Sequence, residues 1–157
     1  MKTRRDGFTL VELLIVVIIL GVLAAIVIPQ FQSSADETKE SALLSDLQPL
    51  RAAIELYYIQ HDSTYPGTIN GNASWANFVT HLSTQTDESG DPGTRFGPYL
   101  RRSVPRNPIN NLGTGIVGPI PQAPDDSTGW YYNPTTGELR ANSSGTGPTT
   151  GLDYFDM

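Results

Sequence analysis

The sequence predicts an α+β protein in which one long N-terminal α-helix packs on a small antiparallel β-sheet head that is rich in loops. Two patterns indicate this fold class. An apolar run near the start of the chain passes into an amphipathic helical stripe, and 23 of the 96 residues from Asp62 to Met157 are Gly or Pro. Gly and Pro at this density interrupt regular elements, so we expect short strands joined by loops in the head.

The apolar run covers residues 8–28, and about 20 such residues suffice to cross a membrane. A secretory signal would have a shorter run with a small-residue cleavage site behind it, whereas Ala24-Ala25 is followed by further apolar residues. A buried core helix would show a polar stripe, and this run has none. We therefore predict a transmembrane and assembly helix over residues 8–28.

Charged residues differ in sign on the two sides of this span. The basic ones before it are Lys2, Arg4 and Arg5, and the acidic ones after it include Asp36, Glu37 and Glu40. The basic side of a single span stays in the cytoplasm. The C-terminal bulk of the chain should therefore face outward.

Glu12 is the one carboxylate inside the span, where a charge is costly and usually has a partner. One interpretation is that its side chain reaches up to the membrane interface. The other requires a cation at the same depth. No Lys or Arg occurs between Arg5 and Lys39, so the cation would be a free α-amino group created by cleavage before Phe8.

The residues around this carboxylate, Arg-Asp-Gly-Phe-Thr-Leu-Val-Glu-Leu-Leu at positions 5–14, resemble the type III signal of prepilins. The resemblance implies a pilin-like fold. It also implies that a prepilin peptidase/methyltransferase removes residues 1–7 as a basic leader peptide, cutting between Gly7 and Phe8. Phe8 would then be N-methylated, and Glu12 would guide assembly.

Residues 29–60 form the amphipathic half of the same predicted helix. Their apolar positions recur at alternating steps of four and three: Leu43, Leu47, Leu50, Ile54 and Tyr57. Pro29 and Pro49 each remove a backbone donor, and the periodicity that continues beyond them predicts local bends rather than ends. Pilin-like helices tolerate prolines at corresponding places, so we count Pro29 with Phe8 and Glu12 as assembly residues.

The head covers residues 61–157. Its predicted elements are a helix at residues 75–82, a hairpin of residues 130–133 and 138–141 around a turn at 134–137, and a third strand at residues 152–155. The helix follows from apolar residues at i, i+3, i+4 and i+7. The hairpin follows from a Pro suited to a turn and a Gly suited to the positive φ after it. Residues 109–128 are expected to be a Gly/Pro loop.

Two stretches of the head are similar to the major pseudopilins of type II secretion systems. They are residues 53–58 with Tyr65-Pro66, and residues 97–102 with residues 104–108. Beyond about Asn111 the sequence departs from that family. Major pseudopilins close with a calcium-binding loop of carbonyls, Ser and Asp, whereas residues 142–151 of this chain are rich in Ser, Thr and Gly.

Metal and cofactor sites find little support in the sequence. Calcium takes six to eight oxygen ligands, and no short stretch carries alternating carboxylates at the spacing of a binding loop. We therefore predict no cofactor and no metal site, and keep Asp125 and Asp126 as the calcium candidates. The chain has no cysteine, which excludes disulfides and thiolate ligands.

The net charge argues against nucleic-acid binding, and the residues around the two histidines argue against catalysis. The net charge is −6. Without residues 1–7 it is −8, from seven basic and fifteen acidic residues, which leaves no electrostatic footprint for nucleic acid. His61 and His81 have no motif-like neighbours, so we expect them exposed at helix ends and predict that the protein is not an enzyme.

Four arginines form the largest basic group after cleavage: Arg95, Arg101, Arg102 and Arg106. They are expected either to be solvated or to contact acidic residues of an adjacent subunit, since like-charged subunits need complementary patches to stack. The acidic candidates are Asp36, Glu37 and Glu40.

The resemblance implies a structural subunit of a helical, membrane-anchored filament, closest to the major pseudopilin of a type II protein secretion system. It would sit in a bacterial inner membrane with its head in the periplasm, and later in a periplasmic or surface filament. Expected partners are further copies of the chain, the prepilin peptidase/methyltransferase, an inner-membrane assembly platform, and minor pseudopilins or pilins. Two alternatives stay open: a type IV pilus subunit for adhesion, motility or DNA uptake, and a membrane-tethered binding module that does not polymerise.

Overall fold

The computed structural model describes residues 7–157, without the side chains of residues 28–33. The predicted leader thus lies outside the described residues except for Gly7. The elements are α1 at Leu10–Gln60, β1 at Thr68–Ile69, β2 at Asn72–Ala73, α2 at Trp75–Ser83, β3 at Gly115–Val117, β4 at Trp130–Tyr132, β5 at Leu139–Ala141 and a 3₁₀ turn at Tyr154–Asp156. These elements confirm the α+β class. One compact unit ends at Asp36, and the second is Glu37–Met157.

Helix α1 is a single element of 51 residues. It continues through positions 29 and 49, so neither proline ends it, as the periodicity predicted. It begins two residues later than expected because Thr9 caps its first turn. It ends where Asp62 and Ser63 adopt φ of 49° and 60°, left-handed values that stop the helical hydrogen-bond pattern.

The predicted apolar stripe of α1 is the centre of the head's core. Its five side chains are each at most 1% exposed: Leu43, Leu47, Leu50, Ile54 and Tyr57. They pack with residues of β4, β5 and α2, including Trp130, Leu139 and Phe78. Burying a side chain of this size contributes about 1.5–3 kcal/mol, so this stripe fixes how the second half of α1 lies on the sheet.

The predicted hairpin is confirmed in strands β4 and β5, which pair antiparallel with Trp130 opposite Ala141 and Tyr132 opposite Leu139. Gly137 in the connecting turn has φ +74°, as the turn pattern required. All three residues of β4 are buried. They are therefore core residues and do not form an exposed aromatic surface.

The third strand of this sheet is not the one predicted. Residues 152–155 do not form a strand, because Tyr154–Asp156 is a 3₁₀ turn. The third strand is β3, which lies inside the expected Gly/Pro loop and pairs parallel with β4, so the sheet is mixed. Its position depends on a distant contact: the Trp75 ring covers Gly115 where any Cβ would overlap it, and Trp75 Nε1 donates to Gly113 O at 3.2 Å.

Helix α2 confirms the second predicted helix. Ser74 is its N-cap, and Ser74 Oγ accepts a hydrogen bond from Asn77 N at 3.2 Å. Its buried face stacks aromatic rings on the sheet: the Trp75 and Phe78 centroids are 4.9 Å apart, and those of Phe78 and Tyr132 are 4.2 Å apart. These contacts fix α2 against β4.

The two pseudopilin-like stretches of the head lie where loops attach to the core. The carbonyl of Pro66 accepts a hydrogen bond from the Tyr132 hydroxyl at 2.8 Å. The carbonyl of Pro105 accepts one from Trp130 Nε1 at 3.0 Å. Backbone N–H groups of Tyr99 and Leu100 both donate to Leu82 O at 2.9 Å. The similar residues therefore have structural roles in this head.

Both histidines are buried, so the expectation that they are exposed is wrong. His61 is 2% exposed and His81 is 3% exposed. The Tyr57 ring stacks on both imidazoles, with centroid distances of 3.7 Å to His61 and 5.2 Å to His81. The flat rings fill the core beside the end of α1, which the sequence neighbours of the histidines did not indicate.

Candidate functional site

The start of α1 is closed by a reciprocal pair of hydrogen bonds between Thr9 and Glu12. Thr9 Oγ1 accepts from the backbone N–H of Glu12 at 3.2 Å. In return, Glu12 Oε2 accepts from the backbone N–H of Thr9 at 2.8 Å and from its hydroxyl at 2.7 Å. This is a capping box, which satisfies backbone donors that a helix start otherwise leaves without partners.

The capping box gives Glu12 a role within its own chain. Its carboxylate lies at the positive end of the α1 dipole, where a negative charge is favourable. Both bonds from Thr9 go to Oε2, so Thr9 does not use Oε1. Sequence reasoning missed this partner, although Thr-x-x-Glu before an apolar run is the readable signature of a capping box.

Gly7 and Phe8 precede the helix and are exposed, Phe8 at 82%. No described atom lies within 4 Å of the position that a Cβ at Gly7 would occupy. The described part of the fold therefore gives no packing reason for glycine at position 7. Cleavage between Gly7 and Phe8 stays a prediction.

The first half of α1 presents an apolar surface on every side. Its large apolar side chains from Leu10 to Val27 are about half exposed or more. Leu10–Val27 has a mean hydropathy of 3.2 with no residue buried, and it is the one segment among the described residues long and apolar enough to cross a membrane. A contiguous exposed apolar surface of this kind marks contact with lipid or protein.

Pro29 lies inside α1, which continues on both sides of it. Its side chain is among those that the structure does not describe. Its role in assembly therefore stays a prediction.

Asp125 and Asp126, the calcium candidates, use carboxylate oxygens to hold neighbouring loops. Asp125 Oδ1 accepts from Asn142 Nδ2 at 2.7 Å and from the Ser127 hydroxyl at 2.8 Å. Asp126 Oδ1 accepts from Ser144 N at 2.8 Å. Hydrogen bonds from Asn142, then from Ser127, lower the pKa of Asp125. Within residues 7–157, no group of three or more His, Asp or Glu that could hold a metal is found.

The arginine group is spread over loops. Arg95 pairs with Glu88 at 2.5 Å, and Arg106 donates to Asn111 O at 3.0 Å. Arg101 and Arg102 are exposed. Of the acidic residues expected to meet this group on a neighbour, Glu40 is 1% exposed. The part of the expectation that concerns Glu40 is wrong, because this carboxylate is buried in its own head.

Comparison with known proteins bears on this site. The family described as prokaryotic N-terminal methylation motif matches residues 2–28. This match covers Gly7, Phe8 and Glu12.

Similarity to relatives extends beyond the helix. The chain is 39% identical over 70 residues to type II secretion system core protein G of Pseudomonas aeruginosa, in a match that covers 45% of this chain and 49%, about half, of that relative. It is 31% identical over 124 residues to core protein G of Aeromonas hydrophila, which covers 76% of this chain and 80% of that relative. It is 49% identical over 55 residues to the type IV major fimbrial protein FimA of Dichelobacter nodosus, 35% of each chain. No solved structure matches the chain.

Proposed function

The chain belongs to the family of type II secretion system core protein G, the major pseudopilins, and we propose that it is the structural subunit of a membrane-anchored secretion filament. In this proposal the chain does mechanical work by assembly rather than chemistry. Copies leave the membrane one after another and stack through their α1 helices.

The observation that carries the proposal is the first half of α1. It combines an apolar surface of which no residue is buried with one carboxylate, Glu12, at its capped start. Apolar helices gain little by exchanging lipid for one another, because lipid tails and Leu side chains are similarly apolar. A polar group at a defined depth can therefore decide when and in what register one copy docks on the next.

The cellular arrangement follows from the same features. We propose a single-pass protein of a bacterial inner membrane with its head in the periplasm, supported by the basic residues before the span. A prepilin peptidase would cut and methylate at Gly7 and Phe8, consistent with the methylation motif at residues 2–28. An inner-membrane platform and minor pseudopilins would be its further partners.

A catalytic role is not part of the proposal. The head's two histidines are buried and stack on Tyr57, so neither faces a substrate. Core protein G relatives are structural subunits by family, which agrees with this assignment.

A type IV pilus subunit is the second candidate, favoured by the 49% identity to FimA. That match covers 35% of each chain, whereas the match to the Aeromonas core protein G covers 80% of that relative and thus includes much of the head. The longer match therefore favours the secretion filament.

Complementation tests this choice. The chain is expressed in one bacterium that lacks its core protein G and in another that lacks its major type IV pilin. Protein secretion is measured in the first strain, and filaments are imaged in both. We expect restored secretion in the first strain and no pili in the second. Pili in the second strain without secretion in the first would establish the pilus subunit. Correct membrane insertion without filaments in either would favour a tethered module that does not polymerise.

A further inference from the structure

Glu40 is a buried carboxylate that holds the last long loop of the head. It projects from α1 and is 1% exposed. Its Oε2 accepts from Thr149 N and its Oε1 from Thr150 N, both at 2.8 Å. These residues lie 109 and 110 positions along the chain from Glu40, so the contact ties α1 to residues 145–153, which we term the C-terminal loop.

The C-terminal loop is shaped for this contact. Gly147 N donates to Leu152 O at 2.8 Å, and Gly151 N donates to Gly147 O at 2.9 Å, which turns the backbone N–H groups of its tip inward. A Cβ at Gly147 would lie 2.6 Å from Glu40 Cδ, so only glycine lets the backbone come this close. The Thr146 hydroxyl closes the base of the loop on Asp153 Oδ1 at 2.9 Å.

Burial by itself raises the pKa of Glu40, but the hydrogen bonds from Thr150 and Thr149 together outweigh it and lower the pKa. Glu40 is therefore an ionised carboxylate whose charge is compensated by backbone donors. Each of its two oxygens already accepts a hydrogen bond from a backbone N–H group.

A second anchor lies at residues 124–128, which we term the Asp125 loop. Asn142 is fully buried. Its Oδ1 accepts from Asp125 N at 2.9 Å and Asp126 N at 3.1 Å. Its Nδ2 donates to Asp125 Oδ1 at 2.7 Å and to Thr128 Oγ1 at 3.0 Å. All four hydrogen-bonding positions of the amide are thus used.

These contacts do not suit calcium, which binds six to eight oxygen atoms. The Asn142 Nδ2 group donates to Asp125 Oδ1 and to Thr128 Oγ1, so these two oxygens face N–H hydrogens. Among the described residues no group of three or more His, Asp or Glu could hold a metal ion. The residues present therefore do not fit the calcium-binding loop that the resemblance to major pseudopilins implies.

We propose that Glu40 and Asn142 take the place of a divalent cation in this head, so that the C-terminal loop and the Asp125 loop close without calcium. The inference concerns the folding of the head and does not depend on whether the chain forms filaments. Its consequence is that the concentration of free calcium around the cell does not regulate how much of this subunit is folded.

The first test is thermal unfolding of the full chain in detergent micelles, followed by tryptophan fluorescence of the head. Wild type is compared in EDTA and in calcium at about 10 mM, above the roughly 10⁻⁴–10⁻³ M dissociation constants of extracellular calcium modules. We expect the same Tm in both. If the head bound calcium with a dissociation constant of about 10⁻³ M, calcium at about 10 mM would favour the folded state about 10-fold and raise Tm by several degrees. Such a rise would overturn the proposal.

The second test removes each anchor with an isosteric change. Glu40→Gln replaces one accepting oxygen by an NH₂ group, which can only donate. Asn142→Asp places a second carboxylate beside that of Asp125. Matched controls are Glu55→Gln, an exposed position of the same helix, and Asn72→Asp, exposed in β2. In EDTA we expect both anchor variants to have a lower Tm than their controls.

Amide hydrogen exchange locates the effect. Glu40→Gln should speed exchange at Thr149 and Thr150, whereas Glu55→Gln should leave it unchanged. Anchor variants that match their controls in both Tm and exchange would show that these carboxylate and amide contacts do not hold the loops.

Discussion

The Tyr57 hydroxyl lies 2.9 Å from Nδ1 of His81. The same nitrogen accepts from the backbone N–H of Gly67 at 3.1 Å. Because a backbone N–H can only donate, Nδ1 must be unprotonated, and the proton of the neutral imidazole is on Nε2. Nε2 is buried and has no hydrogen-bond partner among the described residues. His81 is thus held neutral in one tautomer.

Several ionisable groups surround this imidazole. His61 also stacks on the Tyr57 ring. Asp87 and Asp91 interact electrostatically with the Tyr57 hydroxyl, and a Cβ at Gly90, between them in the chain, would be 2.6 Å from that hydroxyl. Burial lowers the pKa of His81 most, His61 lowers it further, and Asp91 acts in the opposite direction. The net effect is a pKa below 6.5, the usual value.

The first prediction is that this histidine makes the head less stable in acid. Its folded pKa is lower than its unfolded pKa, so its contribution is complete above about pH 6.5 and is lost as pH falls toward the folded pKa. Each pKa unit of lowering corresponds to about 1.4 kcal/mol. The free energy of unfolding of wild type should therefore fall more between about pH 8 and pH 5 than that of His81→Gln.

Carboxylates titrate in both wild type and His81→Gln. The difference between their pH profiles of unfolding free energy therefore isolates the contribution of His81. Urea unfolding at several pH values measures it. Parallel pH profiles for wild type and His81→Gln would contradict the prediction.

The sequence predicted those parts of the fold that depend on local periodicity. The spacing from Leu43 to Tyr57 encodes a buried helix face directly, and all five stripe residues are buried. The hairpin likewise depends on a local turn, with Gly137 at positive φ. Both signals are contained within a few residues, so no knowledge of distant contacts was needed.

The parts that were missed depend on contacts between distant residues. Strand β3 has no alternating pattern and exists because it pairs with β4. Glu40 resembles its exposed acidic neighbours in the sequence, and only a loop 109 residues away makes it a buried anchor. In the candidate assembly site the Thr9–Glu12 capping box was readable, since its spacing is local, but a partner subunit cannot be read from one chain.

The second prediction concerns the head as an independent unit. A protein that begins at Ala35 should fold as a soluble monomer, because the compact unit begins at Glu37 and contains the whole stripe. Within it, Leu47→Ala should destabilise the fold by about 2–5 kcal/mol by leaving a cavity. Leu44→Ala, at a position 36% exposed on the same helix, should cost about 1 kcal/mol or less.

Circular dichroism and urea unfolding of the three proteins measure this. Equal losses in the free energy of unfolding for the two variants would mean that burial of the stripe does not stabilise the head. An unfolded truncated protein would show that the head needs the first half of α1.

The third prediction is that the mature chain begins at a methylated Phe8. No described atom crowds the position of a Cβ at Gly7, so Gly7→Ala should leave the head folded while slowing cleavage. Intact-mass analysis of membrane-extracted protein decides between the forms. A wild-type mass that starts at Met1, or after Ala25, would contradict the prediction.

The last prediction separates the two roles of Glu12, which caps α1 through Thr9 and, in our proposal, pairs with the Phe8 amine of the next copy. Glu12→Leu removes both roles and should still insert and be cleaved, but join filaments about 100-fold less well, the order expected when one member of a buried ion pair is left alone. Thr9→Val removes the two capping hydrogen bonds of the hydroxyl but keeps the Glu12 carboxylate, to which the backbone N–H of residue 9 still donates. It should therefore assemble far better than Glu12→Leu. Filament yield at equal membrane abundance measures both, and a Thr9→Val defect as severe as that of Glu12→Leu would mean that the helix cap, rather than an ion pair between copies, controls assembly.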